Sequence, residues 1–324
     1  MSLSRPRVVV MLDGRSLTGA EAAVARVRVA LSVSGAHDRA EVLAWPQSRL
    51  AEATPGSTLS VALGEDGEEE DVWAGEVVEV AAGEDGVALD GLSGTVALSR
   101  ERISRTWVGE SVADVVRDLA GSAPVDEVGG DVKLSAYTVD DRRTVWAHLL
   151  ELAALTGAEV GSAPDGGLRF LAPRTGSADH TFRHGADVLS WRASATSAPT
   201  AASVAAYGAA SEAGAEQWHW LLRAPSGTAP VRVVPALRTR EAADALAQAL
   251  TARAERAAVR GTLRLRGAPE VRPGALVEVE DLPAGGPGTL RVLSVEHVLD
   301  GRAGLVTTLS VEGAGGGGGL GGLL

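Results

Sequence analysis

PGSTLSV (55–61) and PGALVEV (273–279) share one design. Each opens on a Pro-Gly pair, Pro55-Gly56 and Pro273-Gly274. Proline presets φ at about −65° and glycine accepts a positive φ, so the pair predicts a tight turn. Alternating residues follow, Leu59, Val61 and Leu63 in the first copy and Val277 and Val279 in the second. Period two marks a strand with one buried and one wet face. A polar loop then leads to a glycine-led strand, from Gly75 to Val80 and from Gly288 to Val295. Each copy reads as a β-hairpin entered by a fixed turn. Hairpins of this kind are common, so pattern alone leaves open whether the two copies are a duplication.

Working outward from the first copy, Val8 to Leu12 predicts a strand stopped by the turn dipeptide Asp13-Gly14. Val27, Val29, Leu31 and Val33 alternate with polar or small residues, and Glu41 to Trp45 continues in the same manner. GEDGEEED (64–71) is strongly acidic and is expected to be a solvated hairpin loop. Trp73, Val77, Val78 and Val80 resume the strand signal, and Val87, Leu89, Leu92 and Val96 follow. About six short strands in this first third predict a barrel or sandwich.

The period changes after Trp107. Ser111 with Asp114 is a capping pattern, Val112, Val115, Val116 and Leu119 fall at helical spacing, and Gly121 is a stop. A second helix is expected to start near Asp140 or Asp141, to carry Trp146 and to end at Gly157. The Asp165-Gly166 turn then leads to a strand with Leu168 and Phe170. A third, alanine-rich helix is expected over about 240–259, with Thr239 as its N-cap. Strands return from Gly261 to Val311. The fold class is α+β, mainly β. The expected division is a first β-barrel over 5–105, a helix-containing insert over 106–172, a second β-barrel over 173–312 and a flexible glycine-rich tail over 313–324.

Composition narrows the function. The 324 residues are 45% hydrophobic but only 3% aromatic, so the cores rest on Val, Leu and Ala. A formal net charge of −12 argues against a nucleic-acid or anionic-membrane binder. With no cysteine, disulfide scaffolds, thiolate metal sites and cysteine nucleophiles are excluded. Met1 to Leu12 is too polar for a signal peptide, and no apolar stretch approaches the roughly 20 residues of a membrane span.

Catalytic constellations are missing from the pattern: no HExxH, no GxSxG elbow and no phosphate-cradling glycine loop. His148 and Glu151 are at metal-helix spacing without a second histidine, so they read as a surface pair. His180 and His184 lie near Asp179 and Asp187 and read as ordinary surface residues. His219 is placed by alternation opposite Trp218 and Trp220. Expected catalytic, cofactor and metal residues are none.

Four stretches taken in order resemble one family. They are PGSTLSVALG (55–64) with VWAGEVVEV (72–80), GESVADVVRDLAG (109–121), TVWAHLLELAALTGAEVGSAPDGGLRF (144–170), and GTLRLRGAPEVRPGALVEVEDL (261–282) with GTLRVLSVEHVLDGRAGLVTTLSVEG (288–313). In this order they resemble the baseplate hub of contractile phage tails, the late-control protein D family, and the N-terminal hub part of type VI secretion VgrG proteins. The residues that carry the resemblance are Pro55, Gly56, Trp73, Gly75, Trp146, Gly157, Phe170, Pro273, Gly274, Gly288 and His297. The region from about 175 to 235 matches least.

The resemblance implies a homotrimer in which each chain supplies two related β-barrel tube domains. Six barrels then form a ring that adapts a threefold spike to a sixfold tube. The implied partners are a spike protein, an inner tube or tube-initiator protein, and baseplate adaptor or wedge proteins. It implies no cofactor, no nucleic-acid sequence recognition and no membrane insertion. The spike tip is expected on a separate polypeptide, and the chain is expected to assemble in the cytoplasm into a tail or tail-like particle. Two rival readings stay open: a tail-associated cell-wall hydrolase, and a glycan-binding β-module using some of the seven Trp.

Overall fold

Alternation in the first third becomes seven strands: β1 (Pro6–Leu12), β2 (Arg15–Leu17), β3 (Val24–Ser32), β4 (Arg39–Ala44), β5 (Thr58–Glu65), β6 (Glu68–Gly83) and β7 (Gly86–Ser93). The short helix α1 (Gly19–Ala22) links β2 to β3. The computed structural model describes residues 6–33, 35–65, 67–130, 132–196, 205–209, 220–222, 231–233, 240–282 and 288–315. Asp13 and Gly14 both take positive φ, 48° and 77°, which suits the turn of a twisted hairpin. The strand order is β3-β4-β7-β6-β5-β1-β2. Val27, Val29, Val42, Val61, Val77 and Leu89 are all buried on one face.

The acidic stretch corrects the loop expected at 64–71. Only residues 66 and 67 lie between β5 and β6; Glu68 to Asp71 pair with Glu65 to Ala62. Gly67, at φ +86°, makes the turn short, and cross-strand bonding outweighs the weak strand preference of glutamate.

The middle third is a helical insert. It holds α2 (Ala97–Arg100), β8 (Arg105–Trp107), β9 (Glu110–Ser111), α3 (Val112–Ala120), β10 (Val125–Val128), β11 (Lys133–Leu134), β12 (Tyr137–Val139), α4 (Val145–Thr156), β13 (Glu159–Ser162) and β14 (Leu168–Leu171). Ser111 caps α3 by accepting from the Asp114 amide. The second helix begins at Val145, not at Asp140 or Asp141. Thr144 is its cap, accepting from the Ala147 amide at 3.3 Å, while Asp140 holds the preceding turn through Arg142. Val115, Val116, Leu119, Trp146, Leu149 and Phe170 form a core of their own.

The last third holds β15 (His180–Arg183), β16 (Val188–Ala195), β17 (Ala205–Ala209), β18 (Trp220–Leu222), β19 (Val231–Val233), α5 (Arg240–Ala257), β20 (Val259–Arg266), β21 (Leu276–Glu280), β22 (Leu290–Asp300) and β23 (Gly304–Gly313). Ala242, Ala243 and Leu246 of α5 join the core of the insert. At Gly157, which ends α4 at φ +70°, an added Cβ would overlap the Ala249 methyl, so glycine permits the close approach of α4 and α5. The readings of His219 between two Trp rings, of Thr239 as a cap, and of the tail from 316 onward lie outside the described residues.

The two expected β-units meet edge to edge in one thirteen-stranded sheet. Within it β3-β4-β7-β6-β5 and β16-β20-β23-β22-β21 run in the same order. The agreement extends to single hydrogen bonds. Ser57 N donates to Thr54 O (2.9 Å) and Ala275 N to Arg272 O (3.2 Å), closing both Pro-Gly turns. Gly56 N donates to Val77 O and Val77 N to Ser57 O; Gly274 N donates to Val292 O and Val292 N to Ala275 O. The ladders then shift register at Val77/Glu79 and at Val292/Ser294. Followed across the sheet, the register shifts again at Val24/Arg26 and Val188/Ser190, which occupy equivalent places. One turn and two bulges at matching positions mark the two units as copies. The copies differ at the sixth strand: β1 is antiparallel to β5, whereas β15 is parallel to β21.

This register revises one pairing of residues. Gly75 is equivalent to Leu290, and Gly288 lies before β22. The two glycines do different work. A Cβ on Gly75 would overlap the Leu92 carbonyl and lie 2.6 Å from the Trp73 ring, while Gly288 has open space and φ +72°. Alanine at Gly56, Gly274 or Gly288 is therefore expected to cost roughly 1 kcal/mol of backbone strain. Gly75→Ala is expected to cost about 3 kcal/mol, because the Trp73 contact is overpacked. Denaturant unfolding midpoints of the four variants check this ranking.

Candidate assembly interface

The junction between the copies depends on one long strand. Leu290 and Arg291 of β22 pair with β21. Past the bulge, Ser294 to Asp300 pair with Ser32 to Arg26 of β3, and Val33 N reaches Leu293 O at 3.2 Å. Arg28 bridges the seam, donating to Glu296 at 2.6 Å and to Glu41 at 3.3 Å. Arg272 crosses from the second copy and donates to Asp71 O at 2.6 Å. His297 stands opposite Val29, wholly buried, with Nδ1 2.9 Å from Thr307 Oγ1. Burial and the nearby Arg272 charge push its imidazole down to about 3, so it is neutral in the folded protein.

A second set of contacts bolts the insert to the sheet. Arg291 is fully buried and pairs with Glu159 of β13 and with Glu312 of β23, the latter at 2.8 Å. Arg256 of α5 adds a bond to Glu312 at 3.1 Å. Burial pushes the Glu159 carboxyl above its usual range, and Arg291 offsets part of that. Trp146 Nε1 donates to Gly35 O at 3.0 Å, and its ring lies 4.4 Å from His37. His37 Nε2 is 2.6 Å from Ser99 Oγ, but Nδ1 meets the Thr95 hydroxyl. These bonds tie the turn after β3 to α2 and the residues just before it.

Beside these contacts lies a cavity of about 370 Å³ lined by Asp38, Glu159, Arg169, Asp179 and Arg272. Asp179 is held by Arg174 and the Leu276 amide, Arg169 lies 3.5 Å from Asp126, and Arg272 donates to backbone carbonyls. Asp38 accepts from Ser32 N at 2.8 Å, and burial pushes its carboxyl up to about 7.

The residues singled out from sequence fall into four places. Pro55, Gly56, Pro273 and Gly274 form the equivalent turns. Trp73 and Gly75 lie in the first sheet half, and Gly288 and His297 lie in or beside β22. Trp146, Gly157 and Phe170 belong to the insert. Sequence reasoning missed Glu159, Arg291 and Glu312. The one visible signal is Arg291 interrupting the apolar run Leu290 to Leu293. His148 is buried rather than superficial: its Nε2 meets Asp140 O at 3.0 Å, and Glu151 pairs with Arg143 instead. Asp187 accepts from the Arg183 amide, and among the described residues no acid and histidine cluster is arranged to hold a metal ion.

With this geometry, 95% of the chain overlays 96% of the tail protein from Neisseria meningitidis MC58, with a TM-score of 0.72 and 16% identity. The 43 kDa tail protein of prophage MuSo2 from Shewanella oneidensis overlays over 95% of this chain and 98% of that one, with a TM-score of 0.68 and 16% identity. The chain has the tail-protein fold. The same fold is met in the E. coli c3393 protein, a type VI secretion component, with a TM-score of 0.62 and 10% identity over 93% of this chain and 76% of that one. No protein-family model and no curated protein matches the sequence.

The two buried titrating groups of the tail-protein fold act with opposite sign. In the unfolded chain His297 binds a proton at about pH 6.5 and in the folded one at about 3, so acid weakens folding there. Asp38 keeps its proton up to about pH 7 when folded but only up to 3.8 when unfolded, so acid strengthens folding there. Each slope is at most about 1.4 kcal/mol per pH unit. Between about pH 4 and 6.5 they oppose each other. Relative to the parent, Asp38→Asn is expected to lose stability on acidification and His297→Gln to gain it, as read by urea unfolding across that range. Arg291→Leu is expected to cost about 4 kcal/mol by stranding Glu159, and Arg291→Leu with Glu159→Leu to recover much of it.

Proposed function

We propose that the chain is a structural baseplate hub of a contractile tail or injection system. The observation that carries this reading is the internal copy. Three chains, each holding two equivalent five-strand units, present six similar units around a ring. A threefold object built this way matches a sixfold tube on one side and a threefold spike on the other. The tail-protein fold over nearly the whole chain supports the reading.

In this assignment residues 5–105 and 173–312 are the two tube domains, 106–172 is the insert and 313–324 is the tail. The partners are a second and third copy, a spike protein, an inner tube or tube-initiator protein, and adaptor or wedge proteins that meet the insert. The role is mechanical and not enzymatic: the histidine, the acids and the arginines of the seam are engaged in holding elements together. A net charge of −12 fits protein partners better than nucleic acid. Among the described residues no helix is long and apolar enough to cross a membrane. Assembly takes place in the cytoplasm and ends in the baseplate of a tail or tail-like particle.

Native mass measurement and negative-stain imaging of the full chain, alone and co-expressed with its spike partner, test the proposal. The expected result is a mass of three chains and rings with six lobes. A persistent monomer in both preparations overturns it, and turnover of peptidoglycan by the purified chain favours the hydrolase reading.

A further inference from the structure

The copies are filled unequally at their edges. In the first copy the outer edge of β3 is covered by Ser294 to Asp300 of β22. In the second copy the equivalent strand β16 ends the sheet, and among the described residues its outer edge from Ser190 to Ala195 pairs with nothing. The counterpart of the covering segment is the distal part of β6, Glu79 to Gly83. It bonds β7 on one side, while β5 stops short of it on the other. Among the described residues each chain therefore has one used socket, one used plug, one open socket and one open plug.

Burial shows the same asymmetry. Val27, Val29 and Leu31 of β3 are buried, but their counterparts Trp191 and Ala193 are half-buried and Ala195 is exposed. Val295 and His297 of β22 are buried, whereas their counterparts Val80 and Ala82 are half-buried and exposed. The side chains along both open edges are mostly small: Ala81, Ala82 and Gly83 on one, Ala193, Ser194 and Ala195 on the other. Charge is complementary as well. Exposed Glu79, Glu84 and Asp85 surround the plug, and exposed Arg192, Arg260 and Arg264 surround the socket.

We infer that Glu79 to Gly83 of one chain pairs antiparallel with Thr196 to Arg192 of a second copy. The register follows from the intrachain joint carried through the duplication. Ser294 opposite Ser32 becomes Glu79 opposite Thr196, and His297 opposite Val29 becomes Ala82 opposite Ala193. The contact is head to tail, so it closes into a ring or runs on as a filament. Closure at three copies rests on the hub reading; the edge pairing itself rests on the two open edges. Pairing also removes two unprotected strand edges, which otherwise invite nonspecific sheet growth.

The chain has no cysteine, so disulfide trapping reads the contact directly. Ala82→Cys combined with Ala193→Cys is oxidised in the full chain, alone and with its spike partner, and analysed by mass, non-reducing electrophoresis and peptide mapping. The expected product is a three-chain species linked through 82 and 193. The single variants are expected to give no linked species, and Ala82→Cys with Ala195→Cys, out of register, a several-fold lower yield. Trimers by mass without the 82–193 link overturn the edge pairing and leave the hub reading standing. Monomers throughout overturn both. A ladder of linked chains running past three supports the pairing and overturns threefold closure.

Discussion

Backbone amides at a sheet edge need partners, and the β22–β3 ladder is where this chain meets that need internally. Ser294 to Asp300 supply a row of donors and acceptors that β3 would otherwise expose. The pairing with β21 stops at the Pro-Gly turn, and past the bulge at Val292/Ser294 the same strand pairs with β3.

Around this ladder the protein accepts buried charge. A fully buried Arg291 with Glu159 and Glu312 is costly to desolvate, and an apolar trio could fill the space as stably. Its geometry does what apolar packing cannot do alone: it links β13 of the insert, β22 and β23 at one guanidinium, with Arg256 of α5 joined through Glu312. The insert is thereby held in one orientation on the sheet. Trp146, His37 and the close approach of Gly166 to Ala74 O add contacts on the other copy.

Much of the fold was legible in the residues. The strands before Trp107, the Ser111 cap, the stops at Gly121 and Gly157 and the two Pro-Gly turns all follow from local chemistry. The acidic stretch at 64–71 was misread because cross-strand pairing outvoted local preference, and the start of α4 because Thr144, and not Asp140 or Asp141, is its cap. The candidate interface was legible only in part. His297 was singled out, but its burial against Val29 and Thr307 joins segments far apart in the chain. Arg291, Glu159 and Glu312 gave almost no local signal, since each looks like an ordinary charge until the chain closes around it.

What these residues determined by themselves is a pair of β-units with fixed turns, because turn dihedrals and period-two burial act within a few neighbouring positions. That the units are copies in the same register, that they share one sheet, and that among the described residues one copy has a filled edge where the other has an open one were decided by tertiary structure. Edge pairing is a contact between backbones, which are chemically alike along the chain. Only the folded arrangement, with its bulges in place, selects which edge meets which.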